Sequence, residues 1–372
     1  MSFVRTVVIM AGGSGERFYP SSRIRKPKQL LRLVSDTKTM IEEAVERIAP
    51  LIDHDNIFVI TSEILQEPIR NVLSFLPPQN IIAEPAKRNT APCLALSAVF
   101  IAERFAEQGI SPDTISMAVL TADHFMRPAE KFRETVDNAL SHAENSGDLV
   151  TIGIVPSRPE TGYGYIQTEK DNSTIKRAMA FKEKPDIETA RQYIADESYF
   201  WNSGMFFWRV DTFLNELEKH ASEISGALPA MSHALHHKTN EVFNGSPEGV
   251  AELFAPLPNI SIDYAIMEKS EHIAVVPSNF SWDDVGSWDA LYRTKQPDTN
   301  GNVMMGEVLL IDCKDTIVVN ECDSNKLVAL IGMNETVIVE TNDVTVVCPA
   351  NRVQEVKKIV ETLRAEGKKE FL

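Results

Sequence analysis

Residues 4–17 read Val-Arg-Thr-Val-Val-Ile-Met-Ala-Gly-Gly-Ser-Gly-Glu-Arg. An apolar run, residues 4–11, breaks directly into a glycine loop. A near-continuous apolar run is what a strand covered on both faces requires. The glycines permit positive φ and let backbone N–H groups approach an anion. Two familiar glycine loops fail on spacing. The dinucleotide fingerprint needs a third glycine where Phe18 stands, and the Walker loop needs a Gly-Lys-Ser/Thr ending. The next stretch narrows the choice. Between Glu16 and Arg32 lie six cations, Arg17, Arg23, Arg25, Lys26, Lys28 and Arg32, against one acid, in a chain of net charge −16. Such a segment is either a solvated basic loop or a clamp in which fixed cations and loop amides neutralise a polyphosphate.

Strand and helix patterns alternate outward from this loop. Residues 56–61, 81–83, 115–120 and 149–155 read as strands. Residues 39–49, 64–75, 91–105 and 128–143 read as helices, the first with Thr39 and Glu42 in a capping-box spacing. This alternation predicts right-handed parallel crossovers and an open α/β sheet. From Arg158 to Gly204 the chain is turn-rich, as expected of a substrate lobe at one edge of the sheet. Phe206–Trp208 reads as core strand. After Trp288 the texture changes. Three short β-branched runs at 316–319, 336–339 and 345–347 predict a small β-coil of about three strands. A closing helix follows over 351–366, with Gln354 at a cap position and Val353, Val356, Val360 and Leu363 on one face. The polar stretch 296–302 separates a domain over 1–295 from one over 302–372.

The length of 372 residues allows a sizeable core, and 43% hydrophobic with 24% charged residues is ordinary for a folded protein. The acidic balance disfavours general nucleic-acid binding and a polybasic membrane anchor. No apolar run reaches the roughly 18 residues of a membrane helix, and the first apolar run reads as a strand, not a secretory signal. Four cysteines without Cys-x-x-Cys spacing are expected to be reduced, mostly buried thiols of a cytoplasmic protein. His233, His236 and His237 read as a solvated face, since no third ligand is spaced nearby.

Seven motifs in order carry a specific resemblance: Gly12-Gly-Ser-Gly-Glu-Arg-Phe-Tyr-Pro20 continuing to Lys26-Pro-Lys-Gln-Leu30, Arg88-Asn-Thr-Ala-Pro92, Thr121-Ala-Asp-His124, Thr161-Gly-Tyr-Gly-Tyr165, Phe181-Lys-Glu-Lys-Pro185 with Trp201-Asn-Ser-Gly204, Ser261-Ile-Asp-Tyr264, and Trp282-Asp-Asp-Val-Gly286. Together they resemble the sugar-nucleotide pyrophosphorylases, and most closely their mannose-1-phosphate guanylyltransferase branch. Phe18-Tyr19 stands where many relatives have Leu-Trp. The resemblance implies a Rossmann-like nucleotidyltransferase sheet followed by a left-handed β-helix-like coil. It implies transfer of a guanylyl group from GTP to mannose 1-phosphate. Longer bifunctional relatives carry an extra isomerase domain, for which 372 residues are too short, so transferase activity alone is expected.

The resemblance also distributes roles. Arg17 and Lys28 would hold the leaving pyrophosphate, with Ala11, Gly12, Gly13 and Gly15 supplying backbone approach. Glu84, Asn89, Thr90 and Ala91 would face the base, although Asn89 or Thr90 also reads as a helix cap. Lys184 would hold the sugar phosphate. Glu183, Asn202, Gly162 and Gly164 would take the sugar, and Asp263 is a further candidate that also reads as an N-cap. Asp123 and Asp284 become a carboxylate pair on one Mg²⁺, with Asp283 the neighbour not chosen. A homodimer through the C-terminal region is expected. Two other functions fit parts of the pattern: a pyrophosphorylase for another nucleotide and hexose phosphate, and a non-catalytic regulatory homologue. The second is disfavoured by the presence of Arg17, Lys28, Asp123, Lys184 and Asp284.

Overall fold

The apolar runs become strands in the computed structural model, which describes residues 3–171, 173–323 and 325–372. The strands are β1 (Val4–Met10), β2 (Ile57–Ser62), β3 (Ile81–Glu84), β4 (Ile115–Thr121), β5 (Phe125–Arg127), β6 (Leu149–Ile154), β7 (Tyr165–Thr168), β8 (Lys176–Lys182), β9 (Tyr199–Arg209) and β10 (Ile273–Pro277). Between them run α1 (Met40–Ile48), α2 (Glu63–Val72), α3 (Thr90–Ala106) and α4 (Ala129–Ser146). The capping box at the start of α1 forms: Thr39 N donates to Glu42 Oε2 at 2.8 Å, and Glu42 N to Thr39 Oγ1 at 3.4 Å. The chain divides into two units, each built from separated stretches. One comprises residues 1–11, 45–121 and 127–281, the other residues 12–44, 122–126 and 282–372.

The first unit holds a nine-stranded sheet in the order β3-β2-β1-β4-β9-β6-β10-β8-β7. β1 pairs in parallel with β2 and β4, and β2 with β3, as the alternation of patterns predicts. In register, Met10 faces Ile60 on one side and Thr121 on the other. The carboxyl ends of these strands are thus level, which is where open α/β sheets bind ligands. α3 is buried along most of its length, with Leu94, Ala95, Ala98 and Ile101 fully covered against a core that includes Val8, Phe58 and Val119.

The stretch up to Gly204 does not lie wholly at an edge. β7 and β8 do, but β9 runs antiparallel between β4 and β6 in the middle of the sheet. Trp201, Phe206, Phe207 and Trp208 are at most 1% exposed. The polar Asn202-Ser203-Gly204 inside this apolar strand imitates a turn in the sequence.

The second unit centres on the coil. Its strands, after a short β11 (Ser281–Asp283), are β12 (Val303–Met305), β13 (Val308–Ile311), β14 (Ile317–Asn320), β15 (Val328–Ile331), β16 (Thr336–Glu340) and β17 (Thr345–Pro349). Among the described residues the coil has six strands where about three were expected. β12, β14 and β16 stack in parallel with β17 antiparallel at the end, while β13 and β15 form a second, two-stranded layer. Val303, Ile317 and Val337 sit above one another in register. Their core is shared with residues far earlier in the chain: Phe18, Tyr19, Leu31 and Met40, together with Trp288 and Leu291. Phe18 meets Trp288 edge-on at 5.0 Å, and Trp288 Nε1 donates to Tyr19 O. The closing helix also differs at its start. Residues 350–355 form a 3₁₀ turn and the α-helix spans Val356–Ala365, with Val353, Val356 and Val360 buried as expected. Gln354 is not a cap; its Nε2 donates to Ser287 Oγ at 2.7 Å.

Among the described residues no helix is long and apolar enough to cross a membrane. All four cysteines are free, Cys93 and Cys313 buried and Cys322 and Cys348 half-buried. His236 and His237 approach Glu103 and Glu107 on an exposed face.

Candidate active site

Of the loop glycines 12, 13 and 15, only Gly15 has positive φ, +62°. A Cβ there would stand 2.4 Å from Lys28 Cβ and 2.8 Å from Lys28 N. No side chain fits, so the loop rests directly on the backbone of Lys28. Gly15, Arg17, Lys28, Asp123, Asp284 and Lys357 all line one cavity of about 350 Å³ in the second unit. Lys28 is 6% exposed. Its Nζ lies 2.8 Å from Asp123 Oδ2 and 2.6 Å from the Asp284 carbonyl oxygen. An ammonium has three donors, so one remains for a ligand. Burial alone would lift the Asp123 carboxyl, but the Lys28 charge beside it wins and holds it below its usual value. Asp123 is therefore ionised at neutral pH.

The turn at 283–286 separates two adjacent carboxylates by role. Asp283 is 4% exposed. It accepts from Arg293 Nε at 2.5 Å and from Val285 N at 2.8 Å, so it is committed to the fold. Val285, fully buried, sits at φ +47°, rare for a β-branched residue. A Cβ on Gly286 would stand 3.0 Å from Asp284 Oδ2. The strained turn and the glycine together seat the Asp284 carboxylate at the cavity wall. Among the described residues no group of three or more His, Cys, Asp or Glu side chains could hold a metal. Two carboxylates on one cavity do suit a hard cation that completes its shell with water and substrate oxygens.

The sugar candidates gather in the first unit. Asn202 N donates to Gly164 O at 2.8 Å, and Asn202 Nδ2 to Asp263 Oδ1 at 2.7 Å. A Cβ on Gly164 would stand 2.5 Å from Glu183 Oε1, so the glycine leaves room for that carboxylate. Burial, then the Asp263 charge, raises the Glu183 pKa, while Lys184 opposes the rise. Burial likewise raises that of Asp263 against the pull of Asn202. Lys184 takes positive φ, +43°. Gly164, Glu183, Lys184, Asn202 and Asp263 thus form one polar cluster. Gly162 is exposed, and its N–H donates to Glu160 Oε1 at 3.1 Å. Asp263 is the first residue of a short π-helix, not its N-cap, and its side chain accepts from Asn202 Nδ2.

The base candidates lie on the same unit. Asn89 caps α3: its Oδ1 accepts from Thr90 N at 2.9 Å. Thr90 Oγ1 accepts from Ile262 N at 2.8 Å, and Ala91 N donates to Ile260 O. The start of α3 is therefore tied to the segment that bears Asp263. Glu84 ends β3 with its carboxyl pushed up to about 7, chiefly by burial, against a weaker pull from Lys87. Ala11 ends β1 and is buried, its carbonyl accepting from Thr61 Oγ1.

Two residues lining the cavity around Lys28 were not among the candidates read from the sequence. His124 packs against Trp282 with ring centres 5.3 Å apart, and the Thr121–His124 motif could have signalled it. Lys357 sits beside the buried face of the closing helix, where the sequence shows only one lysine among several.

The nucleotidyl transferase family profile matches residues 6–301, and the "MannoseP isomerase/GMP-like beta-helix domain" profile matches 306–363. A mannose-1-phosphate guanylyltransferase of Escherichia coli is 38% identical over 98% of this chain and 74% of its own. One from Klebsiella pneumoniae is 38% identical over 98% and 75%. The chain thus spans about three quarters of the length of these relatives. A Thermus thermophilus structure, named a mannose-1-phosphate geranyltransferase, superposes with a TM-score of 0.84 at 31% identity, over 97% of this chain and all of its own. Members of this family generally use a divalent metal. On these matches, and with its glycine loop and C-terminal coil, the chain belongs to the nucleotidyl transferase family, among the mannose-1-phosphate guanylyltransferases.

Proposed function

We propose that this chain joins α-D-mannose 1-phosphate to GTP, forming GDP-mannose and pyrophosphate. The observation that carries the reading is the cavity that gathers Gly15, Arg17, Lys28, Asp123 and Asp284 in a member of this family. A phosphate oxygen of the sugar attacks the α-phosphorus of GTP in line. The bond from that phosphorus to the β-bridging oxygen breaks, and pyrophosphate leaves with the electron pair. No covalent enzyme intermediate is needed, so positioning and charge neutralisation dominate. Arg17 and the third Lys28 donor bind the departing phosphates. Lys28 also fixes Asp123 as a carboxylate. Lys184 holds the sugar phosphate, while Glu183, Asn202 and Asp263 accept from and donate to sugar hydroxyls. Glu84 offers an acceptor for the N1–H and N2–H donors of guanine. Mg²⁺ is the ion we assign to Asp123 and Asp284; when bound, it supplies neutralisation of phosphate charge.

The functional division we infer is a transferase part over 1–295 and a coil over 302–372. A second copy of the chain is the partner we infer for the coil. The outer side of β13 and β15 presents Leu309, Ile311 and Ile331 to solvent, the last 72% exposed. The function is tested by pyrophosphate release across a matrix of nucleoside triphosphates and hexose 1-phosphates. GTP with mannose 1-phosphate is expected to lead. Best activity with a pyrimidine triphosphate would overturn the reading.

A further inference from the structure

The geometry points to Lys357, on the closing helix, as a substrate-contacting cation that holds the pyrophosphate leaving group, so that the C-terminal segment completes the phosphate site. This rests on the nucleotidyl-transfer reading above. Lys357 lines the same cavity as Arg17, Lys28, Asp123 and Asp284. The helix that bears it is fixed in rotation by Val356 and Val360, 2% and 4% exposed. Its basic neighbours are engaged elsewhere. Arg352 and Lys358 both pair with Glu355, and Arg364 pairs with Glu16 at 2.6 Å. Lys357 and Arg17 make no ion pair within the described chain.

Charge balance supplies the reason for a further cation. Lys28 already offsets Asp123, and Arg364 already offsets Glu16. The cations left for phosphate oxygens are Arg17 and Lys357, with one donor of Lys28. A departing pyrophosphate carries several negative charges. Its oxygens gain most from ionised donors that are not already neutralised by a carboxylate.

The test is calorimetric titration of inorganic pyrophosphate with Mg²⁺ into the full chain at about 0.15 M salt, where long-range surface effects are screened. Wild type, K357M, K357R and K358M are compared, alongside reverse-reaction kinetics with GDP-mannose. K357M is expected to bind pyrophosphate about tenfold more weakly, as loss of one charge-assisted hydrogen bond implies. Its KM for pyrophosphate should rise while its KM for GDP-mannose and its Tm stay unchanged. K357R should recover most of the affinity, and K358M should match wild type. Wild-type affinity in K357M, or an equal loss in K358M, would overturn the assignment. A wild-type protein that consumes no GDP-mannose would sink the guanylyl reading instead, and the titration would still decide on Lys357.

Discussion

Val285 holds a backbone conformation that β-branched residues avoid, and its two neighbours show why it persists. Asp283 is anchored by Arg293 and by the Val285 amide, and the turn then aims Asp284 at the cavity. The two aspartates should therefore fail in different ways. Asp283→Asn breaks a nearly buried ion pair and is expected to lower stability by about 2 kcal/mol or more, visible as a fall in Tm. Asp284→Asn should leave Tm nearly unchanged while turnover drops about 10²-fold or more, the scale of losing one fixed electrostatic contact in a transition state. An active Asp284→Asn beside a stable, dead Asp283→Asn would reverse the assignment. Glu84 gives a second expectation, with a sign set by its raised pKa. The folded chain holds this proton more tightly than the unfolded chain does. The stabilisation is therefore full below about pH 4.5 and is lost as pH rises through about 7. Glu84→Gln should raise Tm above that of wild type at pH 8 in the absence of ligand, with the gap closing towards pH 5. A pH-independent difference would mean the carboxyl is not held in a desolvated place.

At the scale of elements, legibility followed side-chain chemistry. β1, β2 and β4 are buried on both faces, so their apolar runs announce them. α1 carries its own start signal in Thr39 and Glu42, and the pairing forms. β14, β16 and β17 are β-branched and were legible. β13 and β15 were not, because Val-Leu-Leu-Ile and Val-Ala-Leu-Ile lack a β-branched run and leave alternate residues exposed. Their register explains what they do instead. Leu309 faces Ala329 and Ile311 faces Ile331 across the pair, so the exposed side chains fall on one side. Exposed strands with an apolar face are prone to association. If a second copy covers this face, Ile331→Glu should shift the chain to a smaller species by light scattering. The Tm of the remaining fold should change little, because Ile331 is 72% exposed and buries little area within the chain. An unchanged mass with Glu at 331 would place the contact elsewhere or remove it.

At the scale of the whole chain, the motifs named residues that the structure gathers at one cavity, but not which distant stretches share a core. The sequence reads as a transferase part followed by a coil. Physically, residues 12–44 belong with the coil: Phe18, Tyr19, Leu31 and Met40 are covered together with Val303, Ile317, Val319, Val337 and Val339. No local pattern reports such a pairing, because burial of Phe18 depends on partners some 300 residues later. The consequence bears on truncation. Removing residues 302–372 would uncover one side of this core. Each fully buried aliphatic side chain contributes about 1.5–3 kcal/mol, so losing five exceeds the lower end of total domain stability, about 5 kcal/mol. The truncated chain is expected to lose turnover, and its basic loop should loosen first. That loop carries its own reporter: Arg17, Arg23, Arg25, Lys28 and Arg32 are sites for trypsin, and Lys28 is buried in the intact fold. Brief trypsin digestion followed by mass spectrometry should cut the truncated chain within residues 17–32 well before the full-length chain. A truncated chain that keeps near-full turnover and resists cleavage there would show that the coil is a separable appendage and that residues 12–44 hold their shape without it.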